Sequence, residues 1–106
     1  MLDLLSSKLV GSISPHVGNL SFLKNLTLSN NSFHNEIPSE IDRLRRLQDL
    51  RLANNTISGK IPRNLSHCTN LNHINFAYNL LDGEIPATLG TLSKLQYVNF
   101  IKNNLI

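Results

Sequence analysis

Cys68 directly follows His67 and shortly precedes His73, and a thiol with an imidazole in reach is the minimal equipment of a nucleophilic enzyme. The run "DRLRRL" gathers Arg43, Arg45 and Arg46, guanidinium groups of the kind that hold phosphate. His16, His34, His67 and His73 are the obvious metal ligands. Each of these readings meets a plainer competitor, and position in the chain decides between them. Cys68 recurs in register with Leu20, Leu44 and Leu92, so it is expected to be a buried packing thiol. The histidines have neither the spacing nor the companions of a metal site, and the arginine run is expected to be a solvated convex patch. No glycine-rich phosphate loop or paired-carboxylate motif occurs, so the chain is expected to be non-enzymatic and to use no cofactor or metal.

The register that settles Cys68 comes from a phrase that returns along the chain. "LKNLTLSNNSFHNEIP" begins at Leu23, "LQDLRLANNTISGKIP" at Leu47 and "LNHINFAYNLLDGEIP" at Leu71, an offset of 24 both times. A fixed period in this range is the mark of a solenoid, whose units bury their apolar faces only by stacking. The columns Leu26, Leu50, Ile74, Val98 and Leu28, Leu52, Phe76, Phe100 lie two residues apart, the period of a strand, so both are expected to point inward from a parallel sheet that gains one strand per unit. Phe33, Ile57, Leu81 and Leu105 continue the inward set, as do Ile37, Ile61 and Ile85.

A polar column, Asn31, Asn55, Asn79 and Asn103, runs among the apolar ones. A buried amide must find partners, so these asparagines are assigned the structural role of tying the backbone of their own and adjacent units. Gly11, Gly59 and Gly83 mark a turn that needs positive φ, and Asn35 in the same column is the non-glycine residue that best tolerates it. Pro38, Pro62 and Pro86 fix φ at the start of a short helical or 3₁₀ segment; Ser14 takes that place in the first unit, with Pro15 one later, so a different turn is expected there.

The pattern LxxLxxLxLxxNxLxGxIPxxL, present as "LRRLQDLRLANNTISGKIPRNL", resembles the plant-specific class of extracellular leucine-rich repeat. The stretch "KLVGSISPHVGNLSFLKNLTLSNNSFHNEIPSEIDRLRRLQDLRL" is similar, more narrowly, to the first repeats of plant receptor-like Ser/Thr kinases of the subfamily that includes the sensors of flagellin and elongation factor Tu. The resemblance implies an α/β solenoid: a right-handed, curved leucine-rich-repeat coil with one short parallel strand per repeat and a 3₁₀ or short helical convex side. It implies a ligand-binding ectodomain on the extracellular side of the plasma membrane, joined in full-length members to a membrane helix and a kinase, and serving immune or developmental signalling. A soluble inhibitor of a cell-wall-degrading enzyme, or a non-functional remnant of a receptor gene, are the alternatives.

In that register the residues between the strand leucines face the concave, solvent side. They are Lys24, Asn25, Thr27, Ser29 and Asn30, then Gln48, Asp49, Arg51, Ala53 and Asn54 in the next unit; Asn72, His73, Asn75, Ala77 and Tyr78 follow, and last Gln96, Tyr97, Asn99, Ile101 and Lys102. Strands about 4.8 Å apart make each column a close row of side chains able to follow an extended peptide or a protein edge. Asp49, Arg51, His73, Asn75, Tyr78, Tyr97 and Asn99 are the candidate ligand-binding residues: His73, Tyr78 and Tyr97 as amphipathic anchors, Asp49 and Arg51 as a charged rim. A peptide or protein is the expected partner, with a co-receptor as a second. Five Asn-x-Ser/Thr sequons, Asn19, Asn25, Asn30, Asn54 and Asn64, are candidate glycosylation sites and lean toward the secretory route.

Composition agrees with a binding module. The chain has 106 residues, 41% of them hydrophobic, and a net charge of +3, with no nucleic-acid motif and no single basic column. One cysteine excludes an internal disulfide. No apolar run approaches the ~20 residues that span a bilayer, and "MLDLLSSK" puts Asp3 where a signal peptide needs a basic start, so neither an export signal nor an anchor is expected on this chain. The expected organisation is a single domain, 1–106, with a partial repeat at 1–19, full repeats at 20–43, 44–67 and 68–91, and a partial repeat at 92–106, without caps. The first strand should begin at Leu2 and Leu4, and Phe100, Leu105 and Ile106 should leave an apolar end that favours association.

Overall fold

A computed structural model describes residues 2–3 and 10–106; Leu4, expected in the first strand, lies outside them. Every 24 residues the chain lays down a short strand, turns, lays down a second strand and closes with a 3₁₀ helix. The first strands are β1 (Leu2–Asp3), β3 (Asn25–Thr27), β5 (Asp49–Arg51), β7 (His73–Asn75) and β9 (Tyr97–Asn99), which form one parallel sheet in that order. Their register is one repeat per step, so Asn25, Asp49, His73 and Tyr97 stand side by side. Leu26, Leu50 and Ile74 point into the interior, with Leu28, Leu52 and Phe76 just beyond the strand ends, and all six are buried.

A second parallel sheet was not anticipated from the sequence. It consists of β2 (Val10–Ser12), β4 (Ser32–Asn35), β6 (Thr56–Lys60), β8 (Leu80–Gly83) and β10 (Asn104–Leu105). Phe33, Ile57 and Leu81 bury its inner side. Four of these strands, β2, β4, β6 and β8, bend at a left-handed residue: Gly11, Asn35, Gly59 and Gly83 have φ of 113°, 65°, 78° and 74°. At Gly59 an added Cβ would also come within 2.6 Å of Glu36 Cγ, so the exposed Glu36 side chain would have to move aside. Asn35 fills the one non-glycine place and donates through Nδ2 to Ser12 Oγ at 2.7 Å.

The 3₁₀ helices η1 (Pro15–Asn19), η2 (Ser39–Arg43), η3 (Arg63–His67) and η4 (Ala87–Thr91) stack along the remaining side. Pro38, Pro62 and Pro86 cap the last three. The first turn does not differ, contrary to expectation: Ser14 has φ −67° and ψ 138°, against −67° and 142° at Pro38, and its hydroxyl accepts the His16 N–H at 3.1 Å. A hydroxyl cap reaches the backbone that proline reaches by its ring.

Between the sheets and the helices lies one apolar core, from Ile13 to Leu92. Inside it the asparagine column is saturated. Asn55 Nδ2 donates to Leu28 O and Leu52 O, both at 3.0 Å, and to Ala53 O at 3.3 Å, while its Oδ1 accepts the Phe33 N–H at 3.1 Å. Asn79 repeats this pattern on Leu52 O, Phe76 O, Ala77 O and the Ile57 N–H, and Asn103 on Phe76 O, Phe100 O, Ile101 O and the Leu81 N–H. Asn31 donates to Leu28 O and Ser29 O. Two residues expected inside are exposed instead: Ile85 at 44% and Val98 at 42%. Both lie on the last turns of the coil, where no further repeat of the described chain packs over them. Among the described residues no helix is long and apolar enough to cross a membrane.

Candidate ligand-binding face

Six of the seven candidate binding residues meet on the solvent side of the first sheet. Asp49, His73 and Tyr97 form one row across β5, β7 and β9, and Arg51, Asn75 and Asn99 form the next. Their alternation with Leu50, Ile74 and Val98 turns them outward. The two rows are bound together by side-chain chemistry. Arg51 donates from Nε to Asp49 Oδ1 and from Nη2 to Asp49 Oδ2, both at 2.9 Å, a forked pair on one strand. That bond holds the Arg51 pKa above its ordinary value against the opposing pull of partial burial.

Beside this pair the rings of His73 and Tyr97 stack, with centroids 4.3 Å apart and planes 14° apart. His73 Nε2 is buried and finds no hydrogen-bond partner among the described residues. Burial pushes the imidazole pKa down, Asp49 pulls it back up, and Arg51 adds to the depression, so His73 is neutral at neutral pH. Asn99 Nδ2 donates to the Tyr97 hydroxyl at 3.2 Å, which steadies the outer ring. Asn75 and Asn99 each accept a backbone N–H two residues on, from Ala77 and Ile101, both at 3.1 Å. Asn75 Nδ2 then has no partner among the described residues and is left as a donor toward solvent.

Tyr78, the seventh candidate, is not on the sheet. It follows β7 at the turn, half exposed, with φ 59°. Asn30, Asn54 and Lys102 share that left-handed conformation in their own repeats. Asparagine tolerates it, whereas a bulky tyrosine is strained there. Nothing in the local pattern marks this strain except the asparagines one and two repeats upstream. Ser29, Ala53 and Ala77, expected on the solvent face, are buried at 7%, 8% and 3%. The chain has already begun to bend under the sheet at these positions, small side chains fit, and Ser29 Oγ accepts the Ala53 N–H at 3.0 Å.

The sequons separate by environment. Asn19 is exposed at the end of η1, and Asn25 is half-buried in β3 beside Asp49. Asn54 Nδ2 donates to Asn30 Oδ1 at 2.6 Å. Asn64 Nδ2 is engaged by Ser39 O at 3.1 Å and Asp42 Oδ2 at 3.2 Å.

Cys68 is sealed in the core. Its thiol donates to Ile41 O at 3.4 Å, and burial chiefly, with Asp42 adding and Arg45 opposing, pushes its pKa up to about 11. His67 is turned to Asp42, with Nδ1 3.4 Å from Oδ2, and His73 stacks on Tyr97 at the sheet surface, so neither imidazole is paired with the thiol. His16 and His34 are exposed and separate from the site. Among the described residues no three His, Cys, Asp or Glu side chains gather in a way that could hold a metal.

The leucine-rich repeat family matches this chain over residues 22–44, 46–68 and 70–92. A receptor-like protein kinase of Arabidopsis thaliana is 59% identical over 39 residues, 37% of this chain and 4% of the kinase. The crystal structure of the Arabidopsis thaliana BIR3–SERK2 complex matches with a TM-score of 0.94 and 33% identity, over 98% of this chain and 56% of that one. The plant peptide hormone receptor RGFR1, in complex with RGF2, matches with a TM-score of 0.91 and 38% identity, over 92% of this chain and 16% of the receptor. The match thus spans only a small part of the kinase's length.

Proposed function

Because the chain belongs to the leucine-rich repeat family, we propose that it is a non-catalytic recognition segment of a plant receptor-kinase ectodomain, facing the outside of the plasma membrane and binding an extended peptide or protein edge. The observation that carries this reading is the pair of rows on the first sheet: a flat His73–Tyr97 platform beside the forked Arg51–Asp49 pair. Amphipathic aromatics offer contact area at little entropic cost. The platform takes an apolar, prolyl or aromatic ligand side chain, Asn75 Nδ2 donates to a ligand carbonyl, and Arg51 and Asp49 flank them with one charge of each sign. Tyr78, held at the rim at a backbone cost, extends the contact beyond the strand. The similarity to a receptor in complex with a peptide hormone supports the same ligand class.

The test is to pan the 106-residue chain against a display library of linear twelve-residue peptides and measure enriched peptides on the His73→Ala/Tyr78→Ala/Tyr97→Ala variant. A loss of at least about tenfold, roughly 1.4 kcal/mol, with an unchanged circular-dichroism spectrum is expected. No enrichment, or enriched peptides that bind the variant as well as the wild type, overturns the reading.

A further inference from the structure

One flank of this chain is rich in basic residues. The turns that lead from each 3₁₀ helix into the next first-sheet strand comprise residues 19–24, 43–48, 67–72 and 91–96, and they contain no Asp or Glu at all. Five of the chain's ten Lys and Arg are there: Lys24, Arg43, Arg45, Arg46 and Lys94, with His67 beside them. All five are exposed, and none has a carboxylate within ion-pair distance among the described residues. The nearest acid in the chain, Asp42, is taken up by His67 and Asn64. Glu36, Asp82 and Glu84 lie on the opposite flank, at the second sheet and its turns.

The stack welds these residues into one surface. Asn70 Nδ2 donates to the backbone Arg45 O at 3.0 Å and its Oδ1 accepts Lys94 Nζ at 2.8 Å, so one amide ties the Lys94 ammonium to the backbone of Arg45 two repeats upstream. Phe22, 63% exposed, stands one repeat from Arg46 in the same column. With Asp42 engaged by His67 and Asn64, the five basic groups keep a net positive potential on this flank, which concentrates polyanions along it.

We propose that this flank is a second binding surface, distinct from the first-sheet face, for a linear polysaccharide that carries carboxylates. Guanidinium forks match carboxylates in bidentate geometry, and three of the basic groups are arginines. The flank's exposed aromatic, Phe22, suits the apolar face of one sugar ring. Single-stranded nucleic acid is served by successive stacking planes, and this flank has one.

The experiment measures binding of the 106-residue chain to immobilised de-esterified polygalacturonate, with fully methyl-esterified pectin and single-stranded DNA as comparators. Binding to the de-esterified polymer alone, falling by at least about tenfold between 50 and 200 mM salt, is expected, as for any association that releases counterions. Arg45→Glu/Arg46→Glu should weaken it by about tenfold or more, and Lys60→Glu/Arg63→Glu, the same change of net charge on the other flank, by less than about threefold. If the first variant does not fold by circular dichroism, Arg45→Gln/Arg46→Gln replaces it, with a loss of at least about threefold expected. Equal losses in the two double variants, equal binding of esterified pectin, or tighter binding of DNA each overturn the proposal.

Discussion

The imidazole of His73 lies flat against the phenol ring of Tyr97, one strand away, and buries its own Nε2 without giving it a partner. The pair therefore stores a small electrostatic debt on the surface most suited to binding: the imidazole is easier to cover with a ligand than to protonate. Four consequences of this and neighbouring contacts can be measured.

Removing the cover should release the imidazole. In Tyr97→Ala the His73 pKa, now held below 6.5 mainly by burial, should rise toward that ordinary value in an NMR titration. The sign of the stability effect follows. A histidine whose folded pKa is depressed binds fewer protons folded than unfolded, so stability rises with pH through the window below 6.5 and falls as the pH drops through it. Tyr97→Ala should flatten that dependence. An unchanged His73 titration would show that the ring does not cause the shift.

Tyr78 sits at φ 59°, a place that Asn30 and Asn54 occupy without strain. Tyr78→Asn should stabilise the fold by about 1 kcal/mol, raising Tm by several degrees, while weakening peptide capture. Thermal denaturation followed by circular dichroism reads the first effect. A lower Tm would mean that the ring contributes more to the fold than its conformation costs.

Asn79→Ala strands the N–H of Ile57 and takes one hydrogen bond from each of the carbonyls of Leu52, Phe76 and Ala77, which keep Asn55 Nδ2, Asn103 Nδ2 and the Asn54 N–H. Loss of several buried hydrogen bonds at once should cost about 2–4 kcal/mol in urea denaturation. Asn103→Ala, made at a half-buried position, should cost less. Equal costs would mean that burial does not set the worth of these amides.

Cys68, with a pKa raised to about 11, should stay unlabelled by a thiol reagent at pH 8 and react only when the chain unfolds. Labelling at the rate of a free thiol would contradict its burial.

The first sheet was legible because Leu26 with Leu28 and Leu50 with Leu52 combine a spacing of two with a repeat of 24. The second sheet was not. Its three central strands, β4, β6 and β8, each sink one core side chain, Phe33, Ile57 or Leu81, just before a left-handed bend, which is too little alternation to distinguish a strand from a loop. On the candidate face, the rows through His73 and Tyr97 could be read from register alone. Stacking, the orphaned Nε2 and the strain at Tyr78 could not, since they depend on ring orientation and backbone angles. Ser29, Ala53 and Ala77 were misplaced because alternation was carried past the strand ends, where the chain already curls inward.

Between repeats the asparagine bonds all run one way. Asn55 takes up Leu28 O and the Phe33 N–H of the preceding repeat, Asn79 does so for Leu52 O and Ile57, and Asn103 for Phe76 O and Leu81. The carbonyl also has the asparagine of its own repeat, but the N–H of Phe33, Ile57 or Leu81 has its partner only in the successor. On a ribosome, where the amino-terminal end emerges first, every turn must leave the tunnel one step ahead of the amide that latches it. Assembly is thus vectorial, and the newest repeat is always the one still open.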